Sequence, residues 1–359
     1  LAPTPIPPEA APAQVSSPVT IQDSIKVETT NALPDSVVFK QYGSLSTFLT
    51  GNEEVTTIEN SDLRIKLSNQ GHIDEVELKN FKTYSQTPLY LATATNNRFS
   101  LMANYEGKEV DLYRLYYTAA TSKRSDTTLI TFTAKTSESS FVKHVYSIPP
   151  SGYQIGYEIQ TSGITLGGKN LTYRWNDQIP LQEKAIADSR TKTTINYYDV
   201  NGDFDNLSQT SNDLETEALA NPIKWVAIRQ KFFVSSIIAK NAFSGGEVKT
   251  FGNVNDPVTV KDATVELFIP TEDLTAKKAS YVYYFGPNDY NILPDVTEGF
   301  SRNLDLGWPP MLWINKFVII PIFNFLENYI SSYGIIIVLL VLFVKIILLP
   351  LSYKSYLGM

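Results

Sequence analysis

The chain offers few groups that could do chemistry. It has no cysteine, which excludes thiolate zinc sites, cysteine nucleophiles and disulfides. Its two histidines are His72, in the turn-like QGHID, and His144, which alternates onto one face with Val142, Tyr146 and Ile148. A hydrogen-bonded structural role is expected for each. Asp199, Asn201, Asp203 and Asp205 open like a calcium loop. Phe204 then stands where such a loop needs glycine, and Thr210 where it needs a bidentate glutamate, so an acidic solvated turn is expected instead. No glycine-rich phosphate loop, HExxH or GxSxG occurs. Nothing in this set argues for an enzyme, and neither a cofactor nor a metal is expected. The residue out of place is Lys345, a cation inside an apolar run, where an ammonium costs about 2.5–3.5 kcal/mol at bilayer depth. It either snorkels to the headgroups or faces a water-filled cavity shared with other helices.

The element that positions Lys345 reads YGIIIVLLVLFVKIILLPL, residues 333–351, with one charge. As a helix it would rise roughly 28 Å, close to a bilayer's hydrocarbon thickness. Residues 306–332 precede it. There Lys316, Asn324, Glu327, Asn328 and Ser331 fall near one helical stripe, interrupted by Ile320. Trp308, Trp313, Phe317, Phe323 and Phe325 add aromatic bulk. This pattern predicts an amphipathic helix in the membrane interface, contacting it through Trp308, Trp313, Lys316, Phe317 and Phe323. Pro321 is expected to kink or break that helix. Lys354 beyond the span and Glu327 before it lean towards a cytoplasmic C-terminal side, with residues 352–359 starting a cytoplasmic segment. Upstream of Gly307 the chain carries 27 basic and 36 acidic residues, a net −9, which suits the face away from an anionic leaflet.

Residues 1–36 open with six prolines in eighteen positions and read as an Ala/Pro-rich flexible linker. Because a downstream span does not export the residues before it, a signal or anchor is expected ahead of Leu1. Further apolar spans, about four, are expected after Met359.

Between linker and membrane, residues 37–305 read as a large antiparallel β-sandwich. Ile155, Tyr157 and Ile159 alternate with polar neighbours, as do Leu63, Ile65 and Leu67; Ile130, Phe132 and Ala134; and Leu171, Tyr173 and Trp175. Turns are expected at Gly51-Asn52, Asn69–Gly71, Pro149–Gly152, Gly167-Gly168, Asn201-Gly202 and Gly245-Gly246. Around fifteen strands are expected, with an acidic helix or loop over Ser211–Ala220. A net charge of −7 makes nucleic acid a poor partner.

LDLGWPPMLWINKF (Leu304–Phe317) and SSYGIIIVLLVLFVKIILLPLSYKSYLGM (Ser331–Met359) closely resemble the YidC/Oxa/Alb insertase family. WVAIRQKFFVSSIIA (Trp225–Ala239), YFGPND (Tyr284–Asp289) and SDLRIKLSNQGHIDEVEL (Ser61–Leu78) are similar to its large periplasmic domain. The resemblance implies a mutarotase-like super-sandwich followed by an interfacial helix and one transmembrane α-helix, in a multi-pass protein of the bacterial inner membrane. It implies insertion and folding of nascent inner-membrane proteins, alone or with the Sec translocon, with the ribosome as a further partner through parts absent from this chain. It also implies a hydrophilic intramembrane groove centred on a basic residue. Lys345 stands where many members carry arginine, with Val338, Val341, Leu342, Leu348 and Leu349 as groove neighbours. The alternative is a membrane-tethered periplasmic carbohydrate-binding sandwich or scaffold.

Overall fold

The computed structural model describes residues 35–304, 313–330 and 332–357. Most of the linker, and Trp308 with Ser331, lie outside the described residues. Among the described residues the chain is mostly β, with nineteen strands rather than the roughly fifteen expected, all their pairings antiparallel. Three sheets share the work. Val55–Glu59, Leu63–Ser68, Ile73–Lys82 and Pro88–Ala92 form a four-stranded meander. A six-stranded sheet runs Glu215–Leu219, Gly246–Phe251, Thr259–Pro270, Leu166–Pro180, Asn97–Tyr105, Lys108–Asp111. The nine-stranded sheet runs Phe204–Asn206, Thr194–Asp199, Ile223–Arg229, Phe233–Phe243, Ser280–Pro287, Gln154–Ser162, Phe141–Ile148, Thr127–Lys135, Thr118–Arg124.

Alternation explains which way each strand faces. Leu63, Ile65, Leu67, Ile130, Phe132, Ala134, Ile155, Tyr157, Ile159, Leu171, Tyr173 and Trp175 all enter one apolar core. Trp175 is held there by its indole N–H, which donates to Asn97 Oδ1 at 2.6 Å. Truncating so large a buried ring would cost about 3–5 kcal/mol.

Two expectations fail in the sandwich. Ser211–Ala220 contains an edge strand, Glu215–Leu219, paired with Gly246–Phe251. Its acidic residues stay wet because an edge strand buries little, so the charge run suggested a helix or loop instead. Gly167-Gly168 is no turn between strands. The pair lies inside the strand Leu166–Pro180, at a register shift against Asn97–Tyr105, and Gly168 takes φ +80° there. A bulge needs the same conformational freedom as a turn.

A second, smaller core lies on the other face of the nine-stranded sheet. Tyr198, Trp225, Ala227, Val234, Ile238 and Tyr284 are covered by Leu293 and Phe300, from the segment leading towards the membrane end. The Trp225 indole donates to the Glu298 carbonyl at 2.9 Å, and its ring meets Phe300 at 5.1 Å. Gly299 has φ +72°, and a Cβ there would lie 2.7 Å from the Tyr198 ring. Buried Asn303 accepts from Asn196 Nδ2 at 2.8 Å and donates to the Phe300 carbonyl at 2.9 Å. The segment is therefore strapped to the sheet.

Two helical stretches close the chain. Pro321 does not break the first. Asn315–Ile319 is wound as a π-turn, the Ile320 N–H reaching back to the Asn315 carbonyl, and the α-helix Ile320–Glu327 restarts with Pro321 in its first turn. The wider turn absorbs the proline ring and its missing donor. The second helix, Tyr333–Leu357, is 25 residues long, runs through Pro350, and rises about 37 Å. It thus continues past the expected end of the span at residue 351.

Candidate functional site

The sandwich holds its titratable groups in structural roles. His144 is buried, its Nδ1 2.8 Å from the Tyr157 hydroxyl and its Nε2 3.0 Å from that of Tyr117. Burial, helped by the nearby His72, pushes its imidazole down to about 3. A ring that stays neutral and spends both nitrogens internally is no general base at neutral pH. His72 Nδ1 lies 3.2 Å from Asp74 Oδ1, with its ring stacked on Phe99. Asp199 differs from the expected solvated turn in being buried. Its carboxylate accepts from the backbone N–H of Asn201 and Asp203 at 2.8 and 2.9 Å, and from the amides of Asn201 and Asn221 at 3.1 and 2.9 Å. Burial alone would raise this carboxyl, but those donors hold it below its usual range. Among the described residues no cluster of three or more metal-ligating side chains occurs.

The membrane end is different. Tyr333–Pro350 has a mean hydropathy of 2.8 over 18 residues, long and apolar enough to cross a bilayer. Its first turn packs on the preceding helix: the Tyr333 ring stacks on Phe323 at 6.1 Å, and its hydroxyl donates to Glu327 Oε1 at 2.9 Å. Phe323 is therefore turned to the span rather than outward. Ile336 and Leu340, one turn apart, are buried. At 3.6 residues per turn Lys345 lies roughly 180° from Ile336 and 140° from Leu340.

Lys345 is exposed, and Val338, Val341, Leu342, Leu348 and Leu349 surround it on the same side, all exposed. The structure thus brings the expected groove residues into one stripe that nothing in this chain covers among the described residues. It places Trp313, Ile314, Phe317 and Phe325 of the preceding helix outward as well, with Lys316 Nζ 5.7 Å over the Phe317 ring. Asn324 Nδ2 reaches Asn291 Oδ1 of the sandwich at 3.4 Å.

The strap over Trp225 was missed in the sequence, although a signal was there. Trp225–Ile228 and Tyr283–Phe285 are apolar without alternation, which marks strands buried on both faces.

Residues 55–321 match the family model of the YidC periplasmic domain. The protein named "Membrane protein insertase YidC" of Cytophaga hutchinsonii is 35% identical over 353 residues, covering 93% of this chain and 56% of its own length. Its namesake in Amoebophilus asiaticus is 34% identical over 313 residues, covering 84% and 52%. The chain therefore spans about half the length of the curated relatives it matches. Among solved structures, a galactose mutarotase related enzyme of Lactobacillus acidophilus is similar at 13% identity and TM-score 0.37, covering 65% of this chain and 97% of that one. The 4-alpha-glucanotransferase of Thermococcus litoralis is similar at 8% identity and TM-score 0.32, covering 67% and 41%. With its sandwich matched as a unit and relatives aligned over most of its length, the chain belongs to the YidC family of membrane protein insertases.

Proposed function

We propose that this chain is part of a multi-pass inner-membrane insertase, its sandwich in the periplasm, and that Lys345 is the cation of a hydrophilic groove opening partway across the bilayer. The observation that carries the reading is directional. The span packs through Ile336 and Leu340 and turns Lys345 to the opposite side, where helices from elsewhere in the protein would enclose it. Water held around an ammonium there shortens the apolar path that a polar tail must cross, and attracts acidic groups on that tail. Val338, Val341, Leu342, Leu348 and Leu349 would line the groove and meet the substrate's own apolar segment. Burial of that segment in lipid then drives completion, with no cofactor or covalent step. The substrates are nascent inner-membrane proteins, and the Sec translocon and the ribosome are the partners this role implies.

The test uses the complete protein. Lys345→Ala should slow insertion of substrates with acidic translocated tails by about tenfold, the order expected for one charge at low dielectric, and slow neutral tails less. Lys345→Arg keeps the charge and should insert both at the parent rate. Equal slowing of acidic and neutral tails by Lys345→Ala would remove the electrostatic role.

A further inference from the structure

A cleft of about 440 Å³ opens between Pro149–Gln154 and the segment Asn291–Val296, within the ordinary size of a small-molecule site. Its walls are set by the chain itself. The Asn60 amide donates to the carbonyls of Pro149 and Gly152 at 3.2 and 3.0 Å, and Asp62 accepts from the Gly152 N–H at 2.8 Å. On the opposite wall the Asp289 carboxylate caps the Asn291 N–H at 2.7 Å, and its carbonyl accepts from the Leu293 N–H at 3.0 Å. Tyr153 and Tyr284 line the cleft, their rings edge to face at 6.3 Å.

The lining is chemically one-sided. It contains no lysine, arginine or histidine. Asp295 is exposed at its rim. Asn291, Gln154 and Ser151 supply neutral donors, while Pro149, Ile292 and Val296 supply apolar wall. The bond from Asn324 engages the side-chain oxygen of Asn291, so its amide nitrogen remains a donor at the cleft wall. That same bond joins the mouth of the cleft to the helix whose neighbouring turns expose Ile314, Phe317 and Phe325.

We propose that this cleft binds the headgroup of phosphatidylethanolamine, with the ammonium against Asp295 and the Tyr153 ring and the phosphate against the amides of Asn291 and Gln154. An anionic headgroup would meet a carboxylate and no cation. Choline keeps the charge but has no N–H for a charge-assisted bond to Asp295. A primary ammonium satisfies both the carboxylate and the tyrosine face, and the apolar wall receives the start of the acyl chains. A lipid rather than a soluble amine is the occupant because the cleft is continuous with a helix that presents apolar side chains outward. The proposal rests on the interfacial placement of that helix.

The experiment takes the complete protein in nanodiscs containing equal parts of phosphatidylethanolamine, phosphatidylcholine and phosphatidylglycerol, and counts lipids retained on release by native mass spectrometry. Phosphatidylethanolamine should be retained in preference to the other two. Asp295→Asn should lower its retention about tenfold, the order for a lost charged hydrogen bond. Equal retention of all three lipids, or retention unchanged in Asp295→Asn, would overturn the site. Saturable binding of a soluble lysine peptide without lipid retention would also overturn it, in favour of a polypeptide occupant. Interfacial placement is read separately, as brominated-lipid quenching of tryptophan emission that falls in Trp313→Phe. Quenching without lipid selectivity sinks the headgroup site alone, whereas absence of quenching sinks the placement on which it rests.

Discussion

At the scale of single residues, the buried carboxyl of Asp177 sets a pH dependence. It lies in the sandwich interior, where burial raises it to about 8, offset in part by Asn97 and reinforced by Asp262. Among the described residues neither of its oxygens has a well-formed hydrogen bond, so Asn97 offsets the burial only in part. A folded value above the unfolded one means that the unfolded chain ionises first as pH rises. This group's contribution is therefore complete below about pH 4 and is lost progressively up to about pH 8, where the loss levels off. Asp177→Asn should abolish that slope. Thermal melts at pH 4, 6 and 8.5 should show a gain over the parent that grows with pH, and a constant difference would refute the assignment. Neither this nor the partners of His144 could be read from the sequence, because both depend on which side chains meet across sheets. The cation at Lys345 was legible, since the one charge in a nineteen-residue run needs no tertiary context to stand out. The side of its helix that is packed was not.

At the scale of elements, local pattern carried far where one face was wet. Strands such as Gln154–Ser162 and Leu63–Ser68 show in their alternation which side chains enter the core. Pattern failed where the physics was not local. Edge strand Glu215–Leu219 read as an acidic helix or loop because its partner lies about thirty residues on, and the strap from Leu293 to Leu304 has no periodicity of its own. The strap makes the next prediction. Gly299→Val would place a branched side chain at φ +72° against the Tyr198 ring, costing about 1–3 kcal/mol in backbone strain before any clash is counted. It should lower the melting temperature of residues 35–304 by several degrees. Gly107, also at positive φ but with nothing within 4 Å of an added Cβ, is the control. Gly107→Asn should leave the melt nearly unchanged, since asparagine tolerates the left-handed region.

At the scale of the whole molecule, one core spans all three sheets, and a second joins the sandwich to the segment that leads to the two C-terminal helices. The division of labour is testable in the complete protein. Truncations within the sandwich should reduce insertion less than substitutions between Trp308 and Leu351, if the membrane end carries the mechanism and the sandwich orients it. Equal damage, measured as insertion rate of one substrate, would transfer the mechanism to the periplasmic side. The mostly β, antiparallel class followed from composition and alternation, and the super-sandwich form from the family resemblance.

Pro350 lies inside the last helix. Lacking an amide hydrogen, it leaves the oxygen of Ile346 without the usual bond from four residues on. That oxygen belongs to the residue immediately after Lys345. In a bilayer, an acceptor lacking its donor and a cation rich in donors would then lie one residue apart along the chain, and solvent admitted for the one would be within reach of the other.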